Sequence, residues 1–277
     1  LEHKYKTYVR FKCVTSELYI QLAKSLQVAE NIQHKVLPEE HVLQDTFHDY
    51  FVLYLPKDIV SGDFYWLEVS ENTTYLAVAD CTGHGVPAAF ITLIGKMLLD
   101  KMVKNQKETN PAQMLSQLNQ EIFQMLHQGE NFDTSGMVIA LLKLESHTIN
   151  DSNETTQVDI TFAAARHHLY YFREGADELS LLKGEKKYIG GFELEISFEN
   201  QHLTLSKGDL FYLGSDGLAD QNNPRRRSFG TKRILQLLEK YRQEPLNQQK
   251  EHLYQALKEH QSNATQRDDI LWMGVKL

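Results

Sequence analysis

Cysteine is almost missing from this chain. Cys13 and Cys81 are the only two in 277 residues, far apart and with no Cys or His partner at ligand spacing, which excludes a disulfide framework and a zinc site of ordinary spacing. Positive charge is also short. Lys and Arg number 29 against 37 Asp and Glu, a formal net charge of −8, and that balance argues against nucleic acid as the main partner. No apolar run approaches the ~18 residues of a spanning helix, and no signal peptide is visible. Internal repeats and low-complexity segments are absent too. The simplest expectation is a soluble protein in a reducing, cytoplasmic setting. The first residue is Leu rather than Met, so the further expectation is a piece of a longer protein, with Leu1-Glu2 left by cloning and an upstream sensor domain, membrane-tethered or not, lying before it.

What is present is a core. Some 42% of the residues are hydrophobic, enough for a sizeable interior in a chain long for one domain and short for two. Its most telling stretch is Thr73–Leu99. Thr74–Ala79 is short, apolar and β-branched, as a buried strand should be. It ends on Asp80, then breaks into Cys81-Thr82-Gly83-His84-Gly85 before Pro87 opens a helix, the composition of a strand–loop–helix junction. A carboxylate at the end of such a strand needs a cation, a set of donors or a proton.

Taken in order, Lys4–Val14 is basic and aromatic and reads as a frayed end, a short strand or a connector. Ser16–Leu37 is helical and is stopped by Pro38, so residues 1–38 form an N-terminal linker helix ahead of a domain at 39–277. Leu18, Leu22, Ser25, Ala29, Ile32 and Val36 form a heptad-like seam along that helix. Two readings of the seam stand side by side: packing on its own domain, or a dimerising and signal-transmitting contact. Phe51–Leu55, Phe64–Val69 and Thr73–Ala79 read as strands. Ala88–Val103 and a helix opened by Asn110-Pro111 follow, the second with Leu115, Leu118, Ile122 and Met125 on one face. Gly136–Glu145, Val158–Ala165, Leu169–Arg173, Leu179–Lys183, Phe192–Phe198, His202–Leu205 and Asp209–Leu213 continue as strands, with His147–Gln157 a polar loop. Arg233–Tyr241 and Gln248–His260 are amphipathic helices, and Ile270–Val275 is the last strand. Strands and helices segregated in this way predict an α+β domain, two antiparallel sheets sandwiched between helical layers.

Four acidic sites share one setting. Asp63, Asp80, Asp216 and Asp268-Asp269 each stand at a strand–loop junction beside glycine or another acid. If the strands bearing Asp63 and Asp80 are antiparallel neighbours, the two carboxylates come within a few ångströms, which is unfavourable without a cation between them. Oxygen ligands from several strand ends suit Mg²⁺ or Mn²⁺, and the Cys81 carbonyl adds a donor without adding charge. Two such ions lower the pKa of a bound water and suit in-line attack on phosphorus without a protein nucleophile.

Four blocks carry a resemblance: SGDFYW (Ser61–Trp66), VADCTGHGVPAAF (Val78–Phe90), SDGLADQ (Ser215–Gln221) and RDDI (Arg267–Ile270). In this order, across roughly Val36 to Leu277, they resemble the signature blocks of SpoIIE/RsbU-like phosphatases, the bacterial PPM-type, metal-dependent serine/threonine protein phosphatases. The resemblance implies an α–β–β–α sandwich with two Mn²⁺ or Mg²⁺ ions. Asp63 and Asp80 would hold the pair, with the Cys81 carbonyl as a further ligand. Asp216 and Asp268 would complete the site, and Asp269 would be an alternative ligand or a support behind it. His84 stands where a general acid would protonate the leaving serine oxygen, or is simply a turn residue. The implied substrate is a phosphoprotein, in the family's common role a STAS-type regulatory protein that binds an anti-sigma factor. Where relatives read Asp-Gly-Met-Asp, this chain has Ser135-Gly136-Met137-Val138, and the missing acids argue against a third metal. Arg166 is a candidate phosphate donor, and Arg225-Arg226-Arg227 is either a solvated loop or a docking aid for an acidic partner. The rivals are a GHKL-type ATPase, for which an Asn-bearing helix and a second glycine-rich lid are missing, and a pseudophosphatase that binds a partner without turnover.

Overall fold

The computed structural model describes residues 2–70, 73–130, 133–148, 155–191 and 193–277, with the backbone alone for residues 2–16, 148, 155 and 156. The chain opens with helices α1 (Glu2–Val36) and α2 (Glu40–Thr46) and strands β1 (Asp49–Leu55), β2 (Asp63–Ser70) and β3 (Thr73–Cys81). Helix α3 (Val86–Asp100), a π-helical turn at Lys101–Asn105 and α4 (Pro111–Met125) follow. Then come β4 (Gly136–Thr148), β5 (Thr155–Ala165), β6 (His168–Phe172), β7 (Ser180–Lys183), β8 (Ile189–Gly190), β9 (Gln201–Ser206) and β10 (Leu210–Gly214). A short α5 (Gly217–Asp220), then α6 (Thr231–Tyr241), α7 (Leu246–Gln261) and β11 (Ile270–Lys276) close the fold.

Two antiparallel sheets result. One has the order β1-β11-β10-β6-β7, the other β2-β3-β4-β5-β9 with β8 paired to β4. The strands show how the sequence builds the layers, because alternate residues of one strand enter different cores. In β3, Leu76 and Val78 join Phe162, Phe211 and Leu271 between the sheets, while Ala77 and Ala79 face Leu99, Leu115 and Leu118 of α3 and α4. In β11, Leu271, Met273 and Val275 point into the inter-sheet core, and Ile270 and Trp272 meet Ile234, Leu238 and Leu253 of α6 and α7. Strands buried on both faces read as continuous apolar runs. The expected α–β–β–α sandwich is the fold observed.

Several local expectations change. The helix expected from Ser16 runs from Glu2, since extending a formed helix is far easier than nucleating one, and the frayed-end reading of Lys4–Val14 is corrected. Of the expected strand Phe192–Phe198, Phe192 lies outside the described residues and the rest is not strand: residues 193–200 lie in no strand. Ile196 and Phe198 still enter the helix-side core, and α4 side chains satisfy the backbone, Asn119 donating to the carbonyls of Glu193 and Leu194 and the Ser116 hydroxyl accepting from Phe198 N–H. The expected His147–Gln157 loop is entered by strand at both ends, β4 reaching Thr148 and β5 starting at Thr155, and residues 149–154 lie outside the described residues. The Asn110 cap forms as expected, its side chain accepting from Gln113 N–H at 3.1 Å.

Helix α1 is attached mainly by its last turns. The buried Gln33 amide donates to Ser61 O at 2.7 Å and accepts from Ser61 N–H at 2.9 Å. Leu37 joins the core nearby. Upstream, the seam residues Leu18, Leu22 and Ile32 are each more than half exposed, so this stretch is not packed on its own domain within one chain. Among the described residues, no helix is long and apolar enough to cross a membrane.

Candidate metal centre

The β2–β3 ladder places Asp63 directly opposite Asp80, as expected of antiparallel neighbours. Asp63 is 2% exposed, and among the described residues its side-chain partner is the Ser215 hydroxyl, which donates to Oδ2 at 2.6 Å. Burial, then Asp80 across the ladder, pushes its carboxyl well above the ordinary range. Burial pushes Asp80 up to about 8, with Asp216, Asp268 and Asp269 adding to it. Among the described residues, the sheet brings these carboxyls together with no cation among the groups acting most strongly on them, an arrangement that favours the arrival of positive charge.

Two further chain segments reach the same edge. Asp216 follows β10 and Asp268-Asp269 precede β11, neighbours in the other sheet. Gly217 lets their loops touch, since a Cβ there would stand 1.8 Å from the Asp269 carbonyl. The adjacent acids differ in use. Asp269 is buried and accepts from Lys57 N–H through Oδ1 and from Gly62 N–H through Oδ2, both at 2.7 Å. Asp268 is exposed, and only its Oδ1 is engaged, by Asp269 N–H. Asp269 therefore ties down the loop before β2, and Asp268 keeps an oxygen for something else. The Cys81 thiol is buried, pushed up by that burial and met by the Thr92 hydroxyl, so only its carbonyl, lying against Gly62, bears on the site.

The donors fit hard divalent ions. All are oxygens, their burial and mutual repulsion favour added positive charge, and Mg²⁺ or Mn²⁺ keeps several waters while taking one or two carboxylates. Among the described residues, no three Asp, Glu, His or Cys side chains are grouped closely enough to hold an ion by themselves, so water and the carbonyl are part of that fit. A cavity of about 310 Å³ opens beside Asp80 and Asp216, with Arg166, His167, Ser215 and Thr231 in its walls. Val138, opposite Asp80 on β4, also lines it, where relatives were expected to carry an acid. His84 lies in the β3–α3 loop, its Nδ1 2.6 Å from Asp58 Oδ2. Sequence reasoning passed over Ser215 and Asp58 as partners of Asp63 and His84. The only available signal was the carboxylate in the loop just before Asp63.

The SpoIIE family model, described as Stage II sporulation protein E, matches residues 70–277. The chain belongs to the SpoIIE family. The SGDFYW block, with Asp63, lies ahead of the matched range. This SpoIIE-family chain is 29% identical to the SiaA-PP2C domain of Pseudomonas aeruginosa, with a TM-score of 0.79 and coverage of 94% of this chain and 98% of that one. The phosphoserine phosphatase RsbU of Bacillus subtilis (strain 168) is 24% identical over 203 residues, 72% of this chain and 55% of RsbU. The phosphoserine phosphatase RsbP of the same organism is 21% identical over 247 residues, 89% of this chain and 56% of RsbP. The chain thus spans just over half the length of these curated relatives. The SpoIIE phosphatase domain from Bacillus subtilis shares the fold at 16% identity and a TM-score of 0.62.

Proposed function

We propose that this chain is the catalytic domain of a metal-dependent protein serine/threonine phosphatase that removes phosphate from a regulatory phosphoprotein in bacterial signalling. The observation that carries the reading is the register that sets Asp63 against Asp80, with Asp216 and Asp268 delivered to the same edge. Asp63, Asp80, Asp216, Asp268 and the Cys81 carbonyl would hold two Mn²⁺ or Mg²⁺ ions, which supply a water of lowered pKa and neutralise phosphoryl charge. Ser215 fixes the Asp63 carboxylate, and Asp269 holds the loop that presents it. Arg166, in the cavity wall next to Asp80 and Asp216, offers the planar donor fork that suits a phosphate. His84 supplies a proton to the leaving serine oxygen. The names of RsbU and RsbP as phosphoserine phosphatases support phosphoserine as substrate, and the resemblance of the four sequence blocks implies a STAS-type regulatory protein as its bearer. An upstream sensor acts through α1, whose exposed seam pairs with a second copy.

The test is phosphate release from a phosphoserine peptide with Mn²⁺, Mg²⁺ or EDTA. Turnover with either metal and none with EDTA is expected. No turnover with either metal, in protein that binds them, favours the partner-binding pseudophosphatase.

A further inference from the structure

The loop before β2 and the loop after β3 are joined by one side-chain pair, Asp58 with His84, at 2.6 Å. Both side chains are about half exposed, 47% and 49%. A contact so exposed adds little stability, and its placement explains more than its strength does. Asp58 follows Lys57, whose backbone N–H is held by Asp269, so the carboxylate projects from a segment pinned at the foot of the proposed metal centre. On the other side, Gly85 has φ +71 and would bring a Cβ to 3.2 Å from Asp58 Oδ2. A larger residue there would be strained in its backbone and would crowd the carboxylate. The chain thus clears the space through which Asp58 reaches the ring.

We propose that Asp58 is the positioning residue for His84, holding Nδ1–H so that the proton for the leaving group sits on Nε2. This deepens the general-acid reading of His84 and rests on it. In the step, the water oxygen bonds to phosphorus and the bond from phosphorus to the serine oxygen breaks, its electron pair remaining on that oxygen. The His84 imidazolium gives its Nε2 proton to the serine oxygen and is left neutral. The proton lost by the attacking water passes to solvent, from which the ring is recharged. A carboxylate on Nδ1 fixes the tautomer and ring orientation, as carboxylates beside functional histidines commonly do. Asp58 touches neither substrate nor reacting atoms and acts only through the ring.

Leaving-group dependence separates this role from a structural one. Serine alkoxide needs a proton in the transition state, whereas para-nitrophenolate does not. His84→Ala, Asp58→Ala and the double variant are compared on a phosphoserine peptide and on para-nitrophenyl phosphate at saturating Mn²⁺, with the Mn²⁺ concentration for half activity measured for each. His84→Ala is expected to lose about 100-fold in kcat on the peptide and much less on the aryl ester. Asp58→Ala is expected to lose about 10-fold on the peptide, little on the aryl ester, and to add nothing in the double variant. Mn²⁺ dependence should be unchanged throughout. If His84→Ala shows the substrate split and Asp58→Ala does not, or if the two losses multiply, the positioning role is overturned while His84 stands as the acid. If His84→Ala loses equally on both substrates, the general-acid reading falls and this proposal with it.

Discussion

Asp268 and Asp269 are adjacent, identical in chemistry and opposite in use, and they show how much of a residue's role lies outside its own position. The spacing of the chain brings both acids to the right edge, but only the structure shows that two backbone N–H groups occupy Asp269. Asp268→Asn should weaken Mn²⁺ binding with little change in melting temperature. Asp269→Ala should destabilise the metal-free protein by about 2–4 kcal/mol, because two backbone donors, one of them buried, lose their carboxyl partner. Calorimetric Mn²⁺ titration and urea unfolding on both variants check the division, and a reversal of the two outcomes would reassign the pair. His167, in the wall of the cavity beside Asp80 and Asp216, gives a pH prediction of its own. It is buried, its Nε2 has no partner among the described residues, and burial followed by His168 lowers its pKa to about 4 from an ordinary 6.5. Between those values the unfolded chain takes up a proton that the folded chain refuses. The contribution of neutral His167 is therefore whole above about pH 6.5 and lost as the pH falls toward 4, about 2 kcal/mol of it between pH 7 and 5. In His167→Gln, the loss of unfolding free energy between pH 7 and 5 should be smaller by about that amount. Equal losses in the two proteins would contradict the buried, neutral histidine.

Elements were legible where one signal dominated. The strands around Asp63 and Asp80 were readable because apolar runs end abruptly at an acid, and the α4 cap because Asn110-Pro111 has one ordinary meaning. Phe192–Phe198 misled because alternation reports alternate burial, not a ladder. Ile196 and Phe198 alternate into the core while Asn119 and Ser116 serve the backbone that a neighbouring strand would have served. The Asp58–His84 and Ser215–Asp63 contacts were illegible for another reason. They join segments 26 and 152 residues apart, and no local pattern encodes such a meeting. Helix α1 carries its own expectation. With Leu22 and Ile32 exposed in the single chain, changing both to Ser should leave the melting temperature of the domain within about 2 °C, since surface substitutions cost little, and should abolish the proposed pairing of two copies in sedimentation. A melting temperature lowered by 10 °C or more would mean that the seam is packed against the domain after all.

At the scale of the whole molecule, two sheets place four strand ends on one edge, and the acids at those ends come from distant parts of the chain. The architecture was readable from the segregation of strands and helices together with the four sequence blocks. The centre was readable as a set of acids, but not as a geometry. The proposed role of these carboxylates is, together, to hold divalent metal. Calorimetric titration of Mn²⁺ into the wild-type chain and into Asp80→Asn tests it most directly, with thermal melts of both metal-free proteins alongside. The wild type should bind two ions. Asp80→Asn should lose at least one of them or bind it about 100-fold more weakly, and should melt no lower when metal-free because a repulsion has been removed. A wild type that binds no Mn²⁺, or a folded Asp80→Asn protein that binds it as well as the wild type does, would contradict that role.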